Sequence, residues 1–471
     1  MSTLLIRNLQ AIMTGLPGSA ARHAGPDMRI DGDTIAAIGR LAPLPGERVL
    51  DATDCVAYPA WVNTHHHLFQ SLLKGDPLGI NATLTPWLAA TPYRYRAKFD
   101  AQLFRLAARI GMVELLRSGC GTIADHNYLY YPGMPFDTSE ILFEEAERLG
   151  LRFVLCRGTA TRTRQLEAEL PSALRPEKLD GFLQDMGRLA RRFHDPSPSS
   201  MRRVVMAPTT PLYSAAPEEM REIAAAGREL GLRLHSHLSE TVGYQDSAQA
   251  MHGCSPVEFC ERIGWLGRDV WFAHLVKLDE QEIRLLGATG TGIAHCPQSN
   301  GRLGSGIAPI RALEAAGVPV SIGVDGAASN EAADMISETH AAWLMQRARG
   351  GQLATPACRG GTGEQGAGEA TVEDVVRWGS SGGARVLGLE ALDGLRVGQQ
   401  ADIALYRLDD PRYFGLHDPA IGPVASGGRP FLKALLVAGR DIVRDDAIPG
   451  LDLADLGRQA RAAVATLLAG S

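Results

Sequence analysis

Val56-Ala57-Tyr58-Pro59-Ala60-Trp61-Val62-Asn63-Thr64-His65-His66-His67-Leu68 runs from an apolar stretch straight into three consecutive histidines. Side chains alternate across a strand, so a strand over 57–63 that continues into this run aims His65 and His67 to one side and His66 to the other. Two imidazoles on one side of a strand end can grip one metal ion. A divalent ion held there can generate hydroxide near neutral pH, which is the chemistry of a hydrolase.

Outward from this stretch, short apolar runs alternate with helical patterns, the signature of βα units around a parallel sheet. The runs fall at 57–63, 121–125, 152–156, 203–207, 232–237, 270–274, 292–295 and 318–324. Eight is the number a TIM barrel needs. Between them lie segments such as 217–230, which opens on glutamates and stops at Gly231. The first fifty-odd residues instead read as short strands (Leu4-Leu5-Ile6, Met28-Arg29-Ile30, 34–38) split by turns such as Asp31-Gly32-Asp33. A similar β-rich composition returns at 401–406, 432–437 and Ile442-Val443. The expected fold is therefore α/β: a (β/α)8 TIM barrel over 59–390, a small β-sandwich domain built from 1–58 and 391–450, and a C-terminal helix over 451–471. The Gly-, Thr- and Ala-rich segment 350–368 reads as a surface loop. The excursion 72–92, carrying Pro86 and Trp87, is either a cover over the barrel mouth or a solvated insertion.

Composition narrows the class. The 471 residues are 45% hydrophobic and 21% charged, ordinary values for a globular enzyme. The net charge is −6 and no Lys/Arg block is long enough to track a phosphate backbone, which argues against a nucleic-acid partner. Seven cysteines stand at 55, 120, 156, 254, 260, 296 and 358 without a Cys-x-x-Cys pair, as expected of reduced thiols in a cytoplasm. The opening MSTLLIRNLQAIM lacks the order of a signal peptide, and no apolar run reaches the length of a membrane span. These features point to a soluble cytoplasmic protein.

Metal-competent residues recur at the ends of the expected strands. The first ends in His65 and His67, the fifth runs His235-Ser236-His237-Leu238-Ser239-Glu240, the sixth ends in His274, the seventh in His295 and the eighth in Asp325. In a TIM barrel these carboxyl ends converge on one mouth. His65, His67, a strand-five histidine and Asp325 would leave a position for water on a catalytic ion. His237 is favoured over His235 because it lies nearer the mouth, with His235 packed one layer deeper. Glu240 stands just past its strand, placed to shuttle a proton, and His274 is placed to hydrogen-bond water or a substrate carbonyl. Asp125-His126 either supports the ligands or caps a turn. The fourth strand ends Val205-Met206-Ala207-Pro208-Thr209-Thr210 without the lysine that bridges two ions in dinuclear barrels, so one metal is expected.

These residues resemble the amidohydrolase superfamily in its single-metal aminohydrolase branch. The resemblance is carried by 63–67, His237-Leu238-Ser239-Glu240, His274, His295-Cys296-Pro297, Val324-Asp325 and the return 394–402, and covers nearly the whole chain. Within that branch, the segments 66–75, 83–93 and Gln298-Ser299-Asn300-Gly301-Arg302 are similar to the isoxanthopterin and pterin deaminases. The 8-oxoguanine deaminases share 305–309 and 323–326, and the chain departs from them at Phe69, Gln298, Gly301 and Glu331. The resemblance implies a hydrolytic deaminase of a bicyclic amino-heterocycle, with one zinc (iron being the alternative) on His65, His67, His237 and Asp325. Asp325 would take a proton from the activated water, Glu240 would protonate the adjacent ring nitrogen, and His274 would position the nucleophile or stabilise charge. Gln70, Arg157 and Trp87 are the expected substrate contacts. Other outcomes consistent with the same metal site are a purine or pyrimidine deaminase, a triazine-type chlorohydrolase, or a scaffold without chemistry. The expected partners are a small heterocyclic substrate and a second copy of the chain, as a homodimer or higher homo-oligomer.

Overall fold

Eight parallel strands follow one another around a single sheet, in the order in which the chain lays them down. The computed structural model describes residues 3–23, 25–163, 174–353 and 369–469. Numbered along the chain, the eight are β8 (Trp61–Asn63), β9 (Cys120–Asn127), β10 (Arg152–Thr159), β11 (Arg202–Pro208), β12 (Arg233–Leu238), β13 (Val270–His274), β14 (Gly292–His295) and β15 (Val320–Ile322). The sheet closes where β8 and β15 run out. Thr64 N donates to the Ile322 carbonyl at 3.0 Å, and Asp325 N donates to the His65 carbonyl at 3.0 Å. This is the (β/α)8 barrel expected from the alternation of apolar runs.

Alternation also fills the barrel. Val62, Ala124, Val154, Cys156, Val205, Ala207, Trp271 and Ala294 point inward as one cluster, joined by Ala384, Val386 and Leu387 from a short helix.

The expected single strand over 57–63 is two strands. Cys55–Pro59 (β7) belongs to a different sheet, and the barrel strand begins at Trp61. Proline has no N–H to give a ladder, so pairing on that side stops at Pro59. Ala60 N then bonds the Asp402 carbonyl at 3.0 Å, and Trp61 N bonds the Gly119 carbonyl at 3.0 Å, which hands the chain from one sheet to the next.

Both chain ends build the remaining sheets. One holds β5 (Thr34–Gly39), β4 (Asp27–Asp31), β1 (Thr3–Arg7) and β6 (Arg48–Asp51). The other runs β18 (Arg440–Arg444), β17 (Leu432–Val437), β16 (Ile403–Arg407), β7, β2 (Ala11–Met13) and β3 (Arg22–His23). Leu4, Ile6, Met28 and Ile30 from the first pack on Ala57, Ile403, Leu405 and Leu436 from the second, so the two sheets share one core as a sandwich. The Leu453–Ala469 helix packs on the Ala101–Arg117 helix. Of the glycine-rich segment 350–368, residues 350–353 end the Met335–Leu353 helix and the rest lie outside the described residues. Among the described residues no helix is long and apolar enough to cross a membrane.

Arg152, at the foot of β10, ties the barrel to the sandwich. It is 1% exposed and meets Asp402 through two bonds, Nε at 2.9 Å and Nη2 at 3.1 Å. The same guanidinium bonds Gln400 and the Ser199 and Ser200 carbonyls. Asp402 also accepts from Ala438 N at 2.7 Å. Removing one partner of such a buried pair strands the other charge, at a cost of about 3–5 kcal/mol. Asp402→Ala should therefore lower the unfolding free energy by that amount in urea titration; a loss below about 1 kcal/mol would show that the pair does not join the two parts.

Candidate metal centre

Four donor atoms, from His65, His67, His237 and Asp325, lie within 4.8 Å of one another at the barrel mouth. The two histidines of the opening motif arrive from the end of β8, His237 from β12, and Asp325 from just past β15. Each imidazole has its Nδ1 engaged behind it. His67 Nδ1 donates to the His126 carbonyl at 2.7 Å and His237 Nδ1 to the Thr209 carbonyl at 2.6 Å. For His65 the brace is another ring. His235 Nδ1 donates to the Trp271 carbonyl at 3.0 Å, which leaves His235 Nε2 to accept from His65 Nδ1 at 2.8 Å. A carbonyl cannot donate, so in the neutral ring each Nε2 carries a lone pair rather than a proton. His235 thus sits one layer below the mouth, stacked on Trp271.

Those lone pairs face one another. His67 Nε2 is 3.2 Å from His237 Nε2, and Asp325 Oδ1 lies 3.4 Å and 3.2 Å from the Nε2 atoms of His65 and His67. His65 Nε2 has no hydrogen-bond partner. Burial holds the pKa values of His65 and His237 well below the ordinary histidine value, so protonation does not relieve the contact. Three imidazole nitrogens and a carboxylate oxygen converging on one point fit one divalent cation.

The groups around this cluster are held as firmly. Asp325 Oδ2 accepts from Ser299 Oγ at 2.6 Å, and Oδ1 from Gly326 N at 2.8 Å. Glu240 is 7% exposed; Oε1 accepts from Ser305 Oγ at 2.9 Å and Oε2 stands 3.7 Å from His274 Nε2. Burial pushes the Glu240 pKa up from the usual carboxylate value. His274 Nδ1 lies 2.9 Å from Asn300 Nδ2. Both His274 (φ 78°) and Asp325 (φ 61°) have left-handed backbone, a conformation that side-chain-bearing residues hold only when their surroundings impose it. Asp125 and His126 support the ligands. Asp125 Oδ1 accepts from Leu68 N at 2.7 Å, burial pushes its pKa to about 7, and the His126 carbonyl orients His67.

A cavity of about 250 Å³ opens over the cluster. His67, His237, Glu240, His274 and Asp325 line its polar end, and Gln70, Trp87, Tyr93, Tyr128, Tyr213 and Tyr244 line the rest. Trp87 is brought there by the Leu84–Ala90 helix, and its indole N–H bonds the Ala328 carbonyl at 2.9 Å. The excursion after β8 therefore forms part of the cavity wall. Gln70 Nε2 donates to Tyr128 OH at 2.9 Å, while its Oε1 is buried without a partner. A β-carbon at Gly326 would collide with that carboxamide, so the glycine makes room for Gln70.

Arg157, expected as a substrate contact, does not line this cavity. Its neighbours Val154 and Cys156 face the barrel interior, and alternation turns Arg157 outward to the helix layer. There it pairs with Glu177 and Asp185 and lies 3.6 Å over the Tyr130 ring. Sequence reasoning gave no role to Tyr128, one residue past the end of β9, nor to the bonds made by Ser299, Asn300 and Ser305. For Tyr128 the signal was present: an aromatic residue at the carboxyl end of a barrel strand faces the mouth.

Comparison with known proteins agrees with this geometry. The amidohydrolase family model matches residues 56–439. An isoxanthopterin deaminase from an unknown prokaryotic organism is 70% identical over 98% of this chain and 97% of its own. The 8-oxoguanine deaminase of Pseudomonas aeruginosa is 37% identical over the full length of both. The crystal structure of an amidohydrolase from an environmental sample of the Sargasso Sea superposes with a TM-score of 0.85 at 60% identity, covering 99% of each chain. The eight-stranded barrel, the three-histidine, one-aspartate cluster at its mouth and these full-length likenesses agree: the chain belongs to the amidohydrolase family.

Proposed function

We propose that this protein hydrolytically deaminates a bicyclic amino-heterocycle, with isoxanthopterin and pterin as substrates, converting the exocyclic 2-amino group to a carbonyl and releasing ammonia. The observation that carries this reading is the 70% identity to an isoxanthopterin deaminase along nearly all of both chains. In it, His65, His67, His237 and Asp325 hold one divalent ion, zinc by our reading, with iron suited to the same donors. When bound, such an ion acts as a Lewis acid and supplies a water nucleophile near neutral pH.

The chain's own residues then divide the proton work. Asp325 takes a proton from the attacking water while Ser299 fixes its other oxygen. Glu240, whose proton affinity is raised by burial, gives a proton to the ring nitrogen beside the carbon under attack. His274, next to Glu240, positions the nucleophile and offsets the negative charge that develops there. Collapse of the tetrahedral adduct expels the amino group as ammonia, with the proton held by Asp325 passing to the leaving nitrogen and the adduct's hydroxyl proton returning to Glu240, so one water is consumed for each ammonia released. Trp87 and Gln70 contact the ring, with Tyr128 holding the Gln70 carboxamide in place. We further propose that the protein acts in the cytoplasm as a homodimer or higher homo-oligomer, the compartment being supported by six free, buried thiols among the described residues.

Three measurements test this reading. An ammonia-release assay over isoxanthopterin, pterin, 8-oxoguanine and guanine should find the pterins turned over; turnover of the purines alone would transfer the assignment to the 8-oxoguanine group. Glu240→Gln should keep its metal and lose about 10²- to 10⁴-fold in kcat, and a rate near wild type removes the proton-shuttle role. Gly326→Ala should raise KM by about tenfold or more by displacing Gln70. In a Gln70→Ala background the same change should have little effect, and an equal effect there would mean that Gly326 acts in some other way.

A further inference from the structure

Residues 297–306 touch all three groups to which proton handling is assigned above. Ser299 bonds Asp325 Oδ2 at 2.6 Å, Asn300 lies 2.9 Å from His274 Nδ1, and Ser305 bonds Glu240 Oε1 at 2.9 Å. The first two come from consecutive positions of the Pro297–Arg302 helix, and the third from the turn after it. That turn is folded back by two bonds to the Asn300 carbonyl, from Ser305 N at 2.8 Å and Gly306 N at 3.3 Å. One ten-residue segment therefore sets the position of three side chains that arrive from three different strand ends.

A helix of six residues does not hold its own place to a fraction of an ångström, because isolated short helices are marginal. What fixes this one is the Met335–Leu353 helix behind it. Glu338, fully buried there, accepts from Gln298 N at 3.0 Å and from Gln298 Nε2 at 2.5 Å. Ser337 Oγ lies 3.3 Å from the same amide nitrogen. Among the described residues no basic side chain pairs with Glu338. Gly301 lets the two helices approach closely, since a β-carbon there would fall 2.9 Å from Met345 Cε. Gln298 and Gly301 both lie on this seam.

We propose that Glu338 is a positioning residue for the reaction: through Gln298 it anchors the 297–306 segment, and through that segment it sets Asp325, His274 and Glu240 relative to one another. The proposal rests on the deaminase reading above for the roles of those three groups. Glu338 touches neither the cavity nor the metal cluster. Its effect should therefore appear in turnover rather than in metal or substrate binding.

The test uses the metal-loaded full chain. Glu338→Gln keeps an oxygen for the Gln298 backbone N–H and should stay within about tenfold of the wild-type kcat. Glu338→Ala removes both acceptors and should lose about 10²-fold in kcat on isoxanthopterin, with KM within about threefold and metal per chain unchanged. Its cost should also shrink in an Asn300→Ala background, because both changes act through one segment. If Glu338→Ala does not fold, Gln298→Ala takes its place. A substrate-free readout runs in parallel: in spectra of ¹⁵N-histidine-labelled protein, the His274 ring resonances should shift in Glu338→Ala and in Gln298→Ala, and not in the exposed control Glu280→Gln. Wild-type kcat in a folded, metal-loaded variant, or a lowered melting temperature with kcat intact, overturns the proposal. If the wild type turns over no pterin, the deaminase reading falls, and the histidine spectra still decide whether Glu338 sets the geometry of the segment.

Discussion

Three imidazole lone pairs and one carboxylate oxygen are aimed at a single buried point, and most of the molecule serves to keep them there. Each ring is locked from behind, two by backbone carbonyls and the third by His235, so none can turn a proton toward its neighbours. In a low-dielectric mouth such an arrangement is repulsive unless a cation lies between the donors. Closure of the barrel happens at the same place. The backbone bond from Asp325 N to the His65 carbonyl joins the first and last strands and sets two ligands side by side. Fold and site therefore share one hydrogen-bonded seam, and a sequence that closes the barrel has already placed half of the ligands.

Reactivity adds a second requirement, that the proton-handling groups have fixed positions. Burial raises the Glu240 pKa while Ser305 holds one of its oxygens. His274 and Asp325 hold left-handed backbone, which costs about 1–3 kcal/mol at each. That strain is offset by the bonds from Ser299, Asn300 and Gly326, and by the packing of the Pro297–Arg302 helix against the Met335–Leu353 helix. The rest of the cavity wall carries Trp87, Tyr93, Tyr128 and Tyr213 together with Gln70, which suits a flat heterocycle with polar edges.

Much of this was legible in the sequence, because the two strongest signals are local. Short apolar runs alternating with helical patterns expose eight strands, and polar residues at their carboxyl ends expose the mouth. His65, His67, His237, Glu240, His274 and Asp325 were all readable in that way, and the structure brings them together around one cavity. Where the reading went astray, a local rule had been overlooked or a long-range contact was needed. Pro59 divides what looks like one strand because it has no N–H to donate. Arg157 was assigned to the mouth although the parity that turns Cys156 inward turns its neighbour outward. The bonds of Ser299, Asn300 and Ser305 to the reactive groups span 26, 26 and 65 positions, and no periodicity within a single segment reports them.

The most direct test of the central claim is an anomalous difference map from crystals of the purified protein, with data on both sides of the zinc and iron edges. The account predicts one peak per chain, about 2.0–2.2 Å from His65 Nε2, His67 Nε2, His237 Nε2 and an Asp325 oxygen. Two peaks at the mouth, or one that lies away from these four donors, would contradict it.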